Sequence, residues 1–481
     1  MMLYEELLRN VKGSCNVMRK IIGIGQKLFG SRILLIVYTI LLFAAMCYFV
    51  NDNCFWGDEC FSIRLSQMSF AEMLHATAQD VHPPLYYVFV IIGQRLCGTS
   101  GVMYHIVSII PCALVMIFAN TSLYKHFGFG STLLFVTLCS ALPRALEFSA
   151  EVRMYSWACF FVLMAFWYVY KILMNDTLRN YLLFSIFSLL AAYTHYYALL
   201  SVAFFYIAIM IVAVVKKRNI RNVVFTWVIT ILAYIPWLST LLTTFVRTKD
   251  GWWVDYTESA IDCLKFFFDF GNSHISIALL TLCILLTAYY ALKKRDEIAL
   301  WTIIGLAAAA LTLVTGQALS YLIRPLFLDR YLYPVCSVVW VILSVMAVKT
   351  KKVFPYLLVF VVFVCSARKD KELFFNNYMY NKLCAETVDD VSRVIDDESC
   401  ILTNDSLLNW TVLDYYFPGL SHSTKMDNLD ENKKYYLVWG GREISDDSKK
   451  QLEKQGFAVE KIHENGMIGT TGVQVYELKT D

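Results

Sequence analysis

Eleven long apolar runs leave this chain very few ways to fold. They lie at residues 32–50, 102–124, 131–148, 154–174, 180–194, 196–215, 222–245, 275–292, 298–321, 331–348 and 353–367. A bilayer core about 30 Å thick takes roughly 20 apolar residues per helix. Lipid offers backbone groups no hydrogen-bond partners, so such runs must satisfy their own as helices. Of the 481 residues, 58% are hydrophobic and only 17% charged, against about 25% charged in soluble domains. The sequence therefore predicts an α-helical polytopic membrane protein. A net charge of +3 is too small to point to nucleic acid. The basic residues serve instead as topology markers.

The first run is longer than a signal-peptide core and lacks a clear small-residue cleavage site, so it reads as a retained helix. Basic clusters fall at Arg9 to Arg32, Lys125, Lys171 to Arg179, Lys216 to Arg221, Lys293 to Arg295 and Lys349 to Lys352. If all are cytoplasmic, residues 102–124 run inward. The shorter piece Leu85 to Cys97, which follows Pro83-Pro84 and contains Gln94 and Arg95, then cannot cross. It is expected as a helix lying in the outer interface. Phe70, Met73, Leu74 and Thr77 recur at helical spacing among polar residues and predict a second short interfacial helix. The result is about 11 spans, with the N-terminus inside and the C-terminus outside.

On this topology the polar clusters gather on one face. Asp58 and Glu59, in Trp56-Gly57-Asp58-Glu59, emerge behind the first run. Arg144, Glu147, Glu151, Arg153 and Tyr155 follow the third. His195-Tyr196-Tyr197 joins two closely spaced helices. The loop Arg247 to His274 carries Trp252, Trp253, Asp255 and Glu258, and the last cluster is Arg324 to Tyr333. Simpler readings stand beside a functional one. His195 fits a hydrogen-bonded helix end, Arg144 and Glu147 fit a mutual pair, and the two tryptophans fit an interfacial anchor.

Past Ala367 the composition turns charged and polar. Residues 368–481 are expected as a small extracytoplasmic α/β domain, after a transmembrane domain of residues 1–367. Its predicted elements are a helix over 383–396, strands at Cys400 to Asn404, Tyr435 to Trp439 and Val473 to Leu478, and a helix from Ser445 to Gln455. Gly440-Gly441 lacks the context of a nucleotide fingerprint. Most of the 14 cysteines lie in apolar runs, where a thiol is a small hydrophobe. Cys54 and Cys60, flanking the acidic stretch, leave a small disulfide open.

External carboxylates with several arginines suit transfer of a group from a phosphate-bearing donor to a hydroxyl. A carboxylate accepts the hydroxyl proton, and arginines hold the leaving phosphate. A lipid-linked sugar phosphate fits a site at the membrane edge better than a nucleotide. The alternative class, a transporter or flippase of lipid-linked glycans, calls for midplane charges and internal repeats. The sequence shows neither.

The ordered motifs WGDE, VHPPLYY, EVRMYS, THYYAL and RPLFLDRYLYP resemble those of the GT-C membrane glycosyltransferases, in the bacterial branch related to protein O-mannosyltransferases and aminoarabinose transferases. The resemblance spans residues 30–367. It implies a polyprenyl-phosphate sugar donor (hexosyl or pentosyl), an inverting transfer to a hydroxyl of an envelope glycan, lipid or protein, and a catalytic acid in the first external loop. It also implies the outer face of the plasma (inner) membrane as the place. By position, Asp58 corresponds to the family acid and Glu59 completes its motif. Arg153, Arg330 and Arg324 become donor-phosphate ligands. His82, Glu151, Tyr155, His195 and Tyr331 become substrate-binding residues. No cofactor follows from these motifs, and a divalent metal is left open.

Overall fold

The computed structural model describes residues 32–52, 54–250, 254, 256–441 and 443–480. The expectations for Trp252, Trp253, Asp255 and the basic segment before Arg32 fall outside these residues.

Every apolar run is helical. In chain order the helices of the membrane part are α1 (Arg32–Cys47), α2 (Gly57–Gln67), α3 (Phe70–Ala78), α4 (Leu85–Cys97), α5 (Gly101–Phe118), α6 (Tyr124–Ala141) and α7 (Pro143–Ala150). They continue as α8 (Tyr155–Met174), α9 (Leu178–Ala192), α10 (Tyr196–Val215), α11 (Ile220–Asp250), α12 (Ala260–Phe266), α13 (Ser273–Lys294), α14 (Glu297–Leu322) and α15 (Tyr333–Thr350). A turn of π-helix joins α5 to α6, and a left-handed Gly128 (φ 79°) bends the chain within α6. Among the described residues seven helices are long and apolar enough to cross a membrane, with Gly101–Ala141 taken as one. The shorter apolar helices α1, α4 and α9 lie beside them.

Two of the short helices owe their place to their ends. Ser69 caps α3, accepting from the Glu72 N–H while the Glu72 carboxylate accepts from the Ser69 N–H, which satisfies two orphan donors at once. Pro143, whose missing N–H costs nothing in a first helical turn, ends the run predicted at 131–148 after Ala141 and restarts it as α7.

Helix α15 is the centre of the bundle. Of its most apolar stretch, 94% is buried, against 22% for α11. It packs on α6, α8, α13 and α14. Its polar atoms are matched internally, with Trp340 Nε1 donating to the Phe267 carbonyl at 2.7 Å and Ser337 Oγ to that of Cys159 at 3.2 Å. Unmatched polar groups in such a dry core cost several kcal/mol each.

The expected break after Ala367 lies inside α16 (Phe354–Val394), a single helix of 41 residues that leaves the bundle and packs on the C-terminal sheet. That sheet has five strands, β1 (Cys400–Thr403), β2 (Ser421–Ser423), β3 (Tyr435–Gly440), β4 (Phe457–Ile468) and β5 (Thr471–Thr480), in the order β2-β1-β3-β5-β4. Strands β2 and β3 run parallel to β1, whereas β5 is antiparallel to both β3 and β4. Helices α17 (Leu413–Tyr416) and α18 (Asp446–Glu453) complete it. The sheet and α16 share one buried cluster with α2, α4 and α5. At that junction the Gly469 turn lies against the chain just before Trp56. Its backbone is left-handed (φ 59°), and a Cβ there would stand 2.6 Å from the Phe55 carbonyl oxygen.

The cysteines flanking the acidic stretch are not bonded to each other. Cys54 Sγ faces the Gly469 carbonyl at 2.9 Å, Cys60 Sγ faces that of Phe55 at 3.5 Å, and both thiols are free.

Candidate active site

Polar clusters from distant parts of the sequence close on the N-terminal turn of α2. Trp56 is the residue before that turn. Its backbone N–H donates to Glu59 Oε2 at 3.1 Å, while Glu59 Oε1 accepts the Val152 N–H at 2.8 Å. Glu59 is thereby buried, at 5% exposure, and ties the α2 turn to the segment after α7. Burial raises its carboxyl to about 7, against the two backbone donors that favour the charge.

Asp58, one residue earlier, is half-buried and points the other way. Its Oδ2 lies 3.6 Å from Arg330 Nη2 and 3.8 Å from Arg153 Nη2. Arg153, at 3% exposure, also donates from Nη1 to the Asp58 carbonyl (3.2 Å) and to Ser62 Oγ (3.3 Å). Arg330 comes from the 3-10 turn Asp329–Leu332 that leads into α15, and its guanidinium lies over the Trp56 ring at 5.6 Å. Against burial, Asp58 holds the Arg153 guanidinium, and Tyr155, Tyr331 and Asp58 that of Arg330, above their ordinary values. Their charge is fixed. Both Nε atoms are buried without a hydrogen-bond partner among the described residues.

Behind the arginines stands a wall of rings. His82 Nδ1 donates to Asp80 Oδ2 at 3.2 Å and lies 3.4 Å from Arg153 Nη2. Burial lowers the His82 imidazole below its ordinary value, with the Asp80 carboxylate opposing. His195 packs against His82, Tyr155 and Tyr331 with ring centroids 5.4 to 5.8 Å apart. It caps α10, its Nδ1 accepting the Tyr197 N–H at 3.1 Å. The structural reading of His195 is therefore met at one nitrogen. With Nδ1 an acceptor, the proton of the neutral ring sits on Nε2, and burial keeps the ring neutral. That N–H, like the Tyr155 hydroxyl, is buried with no partner among the described residues.

Two cavities, each of about 470 Å³, border this cluster. One is apolar. Leu199, Leu200, Leu241, Phe245 and Leu319 of α10, α11 and α14 line it, and His82, His195 and Tyr331 form its polar end. The other is polar, lined by Trp56, Glu59, Glu151, Arg144 and Arg330 on one side and by Asn376, Asn377 and Asn381 of α16 on the other. Glu151 accepts Trp56 Nε1–H at 3.2 Å, and burial beside Glu59 raises its carboxyl well above the usual range.

Arg144 does pair with Glu147 (2.7 Å), and it also donates to Asp269 at 3.0 Å. Arg324 stands apart from the arginines at Asp58, its Nη1 donating to the Thr248 carbonyl at 3.4 Å. Among the described residues no group of three or more His, Cys, Asp and Glu side chains is arranged to hold a metal ion. The motifs passed over Asp80, although it adjoins the VHPP stretch. They also passed over the Trp56–Glu151 bond and the asparagines of α16, whose only signal is amides recurring on one face of a helix.

No family model and no curated protein matches the chain. Solved structures do. The apo aminoarabinose transferase ArnT of Cupriavidus metallidurans superposes with a TM-score of 0.61 at 12% identity, over 92% of this chain and 97% of that one. The fold is that of ArnT. The same enzyme bound to undecaprenyl phosphate gives a TM-score of 0.60 at 10% identity, again over 92% and 97%. The oligosaccharyltransferase of Archaeoglobus fulgidus, in complex with zinc and sulfate, covers 90% of this chain and 72% of its own, with a TM-score of 0.44 at 11% identity. The ArnT match runs through α16 and the C-terminal sheet as well as the bundle, because 92% coverage cannot be reached within residues 30–367. The GT-C architecture implied by the five motifs is present.

Proposed function

We propose that this protein is a membrane glycosyltransferase that moves a sugar from a polyprenyl-phosphate carrier to a hydroxyl. The observation that carries the reading is the pair of guanidiniums at Asp58, whose Nε groups, like the Tyr155 hydroxyl and His195 Nε2–H, are buried without a partner among the described residues. Buried donors without partners are rare in proteins and cost free energy. His195 stands at the polar end of the apolar cavity, in ring contact with Tyr155, and Arg330 lines the adjoining polar cavity, an arrangement that suits a phosphate on a lipid tail. That ArnT was solved with undecaprenyl phosphate supports a carrier of the same class.

In this reading the polyprenyl tail occupies the apolar cavity and its phosphate is met by the Nε–H groups of Arg153 and Arg330, while their Nη2 groups hold Asp58. The acceptor hydroxyl arrives from the polar cavity. Asp58 takes its proton as the hydroxyl oxygen bonds to the anomeric carbon, and the carbon–oxygen bond to the phosphate breaks. The charge that develops on the leaving polyprenyl phosphate is met by two guanidiniums already in place. Attack from the side opposite the phosphate inverts the anomeric centre. Glu59, whose two oxygens hold backbone N–H groups, fixes the loop that aims Asp58. The basic ends of the helices face the cytoplasm, and the site with the C-terminal domain faces outward from the plasma membrane.

The test is reconstitution of the full chain in liposomes with synthetic polyprenyl-phosphate hexoses and pentoses. Release of polyprenyl phosphate, coupled to appearance of the sugar on an envelope glycan, lipid or protein, is the expected result. Transbilayer movement of the intact carrier without transfer would favour a flippase instead.

A further inference from the structure

The polar cavity also speaks to what is glycosylated. Its charges are already committed. Arg144 is shared by Glu147, Asp269 and, at 3.9 Å, Asp329. Arg330 is held by Asp58 and lies over Trp56. Against these two cations the described lining sets Glu59, Glu147, Glu151 and Asp329. Arg144 and Arg330 are already balanced by Glu147, Asp269, Asp329 and Asp58, and the remaining Nε–H of Arg330 serves the donor phosphate in the transferase reading, so a phosphorylated or carboxylated acceptor would find no surplus of positive charge there.

What the cavity does offer is neutral hydrogen bonding. The α16 face carries Asn376, Asn377, Tyr380 and Asn381 into it. Asn377 Oδ1 accepts from Asn381 Nδ2 at 3.3 Å, and Asn381 Oδ1 is buried with no partner among the described residues. Each amide presents two donors and an acceptor, the complement of vicinal hydroxyls. Across the cavity, Glu151 uses one oxygen for Trp56, and its Oε2 is buried and unmatched among the described residues.

We propose that the acceptor is an uncharged, hydroxyl-rich saccharide seated between the amide face of α16 and the Trp56–Glu151 pair. The proposal rests on the transferase reading and names the chemical class of its second substrate. Asn376, Asn377 and Asn381 bind neighbouring hydroxyls, and Glu151 orients the saccharide so that the hydroxyl to be glycosylated faces Asp58.

Saturation-transfer NMR on the full-length protein in nanodiscs tests it without any need for turnover. The probes are neutral disaccharides of glucose, galactose, mannose and N-acetylglucosamine, with glucose 6-phosphate and a serine-rich peptide as the contrasting classes. At least one neutral disaccharide is expected to show contact, and the charged sugar and the peptide none. Loss of two amide hydrogen bonds in Asn376→Ala/Asn377→Ala should weaken that contact by about five- to tenfold. Asn376 is exposed and Asn377 only half-buried, so this variant keeps the fold, which a thermal melt confirms.

Preference for glucose 6-phosphate or for the peptide overturns the proposal. So does silence of every neutral probe, or equal binding by the variant. Should neutral saccharides bind through α16 while no polyprenyl-phosphate sugar supports transfer, the saccharide site stands and the transferase reading fails. Transfer to a phosphorylated acceptor has the reverse meaning.

Discussion

Asp58 and Glu59 are adjacent in sequence and opposite in environment. Glu59 is enclosed by backbone donors, whereas Asp58 is half-open between two arginines. The buried carboxyl of Glu59 has a folded-state value of about 7, above its ordinary 4.5. A raised acid favours folding while it keeps its proton. Its contribution is full below about pH 4.5 and is lost as pH rises through about 7. Melts of wild type and Glu59→Gln from pH 4.5 to 8 should therefore diverge, with wild type losing on the order of 3 kcal/mol relative to the variant by pH 7 to 8. Parallel curves would contradict this. At His195, Asn keeps an oxygen for the Tyr197 N–H cap and removes the Nε2–H. His195→Asn should melt near wild type yet bind polyprenyl phosphate at least about tenfold more weakly, as expected for a lost hydrogen bond to a charged group. Equal affinity would leave His195 a helix cap and nothing more.

Among the elements, the sequence disclosed those that the bilayer itself dictates. Runs such as 154–174 and 298–321 can be nothing but helices, and the structure places helices there. It was less legible where local and tertiary terms compete. Pro143 splits one apolar run, because a helix start tolerates proline and a helix interior does not. The polar edge strand β4, reading FAVEKIHENGMI, lacks the apolar alternation that marks a half-buried strand, and it pairs only because β5 supplies the partner. Motifs placed Asp58, Arg153 and Arg330 together. The α16 amides went unseen, since a polar helix face looks solvated until something folds over it. The junction of β4 and β5 with the α2 loop is made at Gly469. Gly469→Ala must both adopt a left-handed backbone and push the Phe55 carbonyl away. It should lower stability by about 1–3 kcal/mol and reduce kcat by displacing Asp58, with donor affinity little changed. A normal melt and normal turnover would show that the sheet is not coupled to the site.

For the whole molecule, the polar clusters that parity assigned to one face meet in space, and the C-terminal sheet docks beside them. Reporters fused after Arg95 and after Asp481 should both report the extracytoplasmic side. A cytoplasmic signal at either place would break the topology. The central claim is that this architecture aims Asp58 at an acceptor hydroxyl while arginines hold the leaving phosphate. Its most direct test is single-turnover transfer by purified Asp58→Asn with a synthetic polyprenyl-phosphate sugar, alongside Glu59→Gln. General-base catalysis contributes about 10² to 10⁴ in rate. Asp58→Asn should therefore fold, bind the carrier and lose transfer by at least that order, while Glu59→Gln retains more. Near-normal turnover by Asp58→Asn would contradict the account.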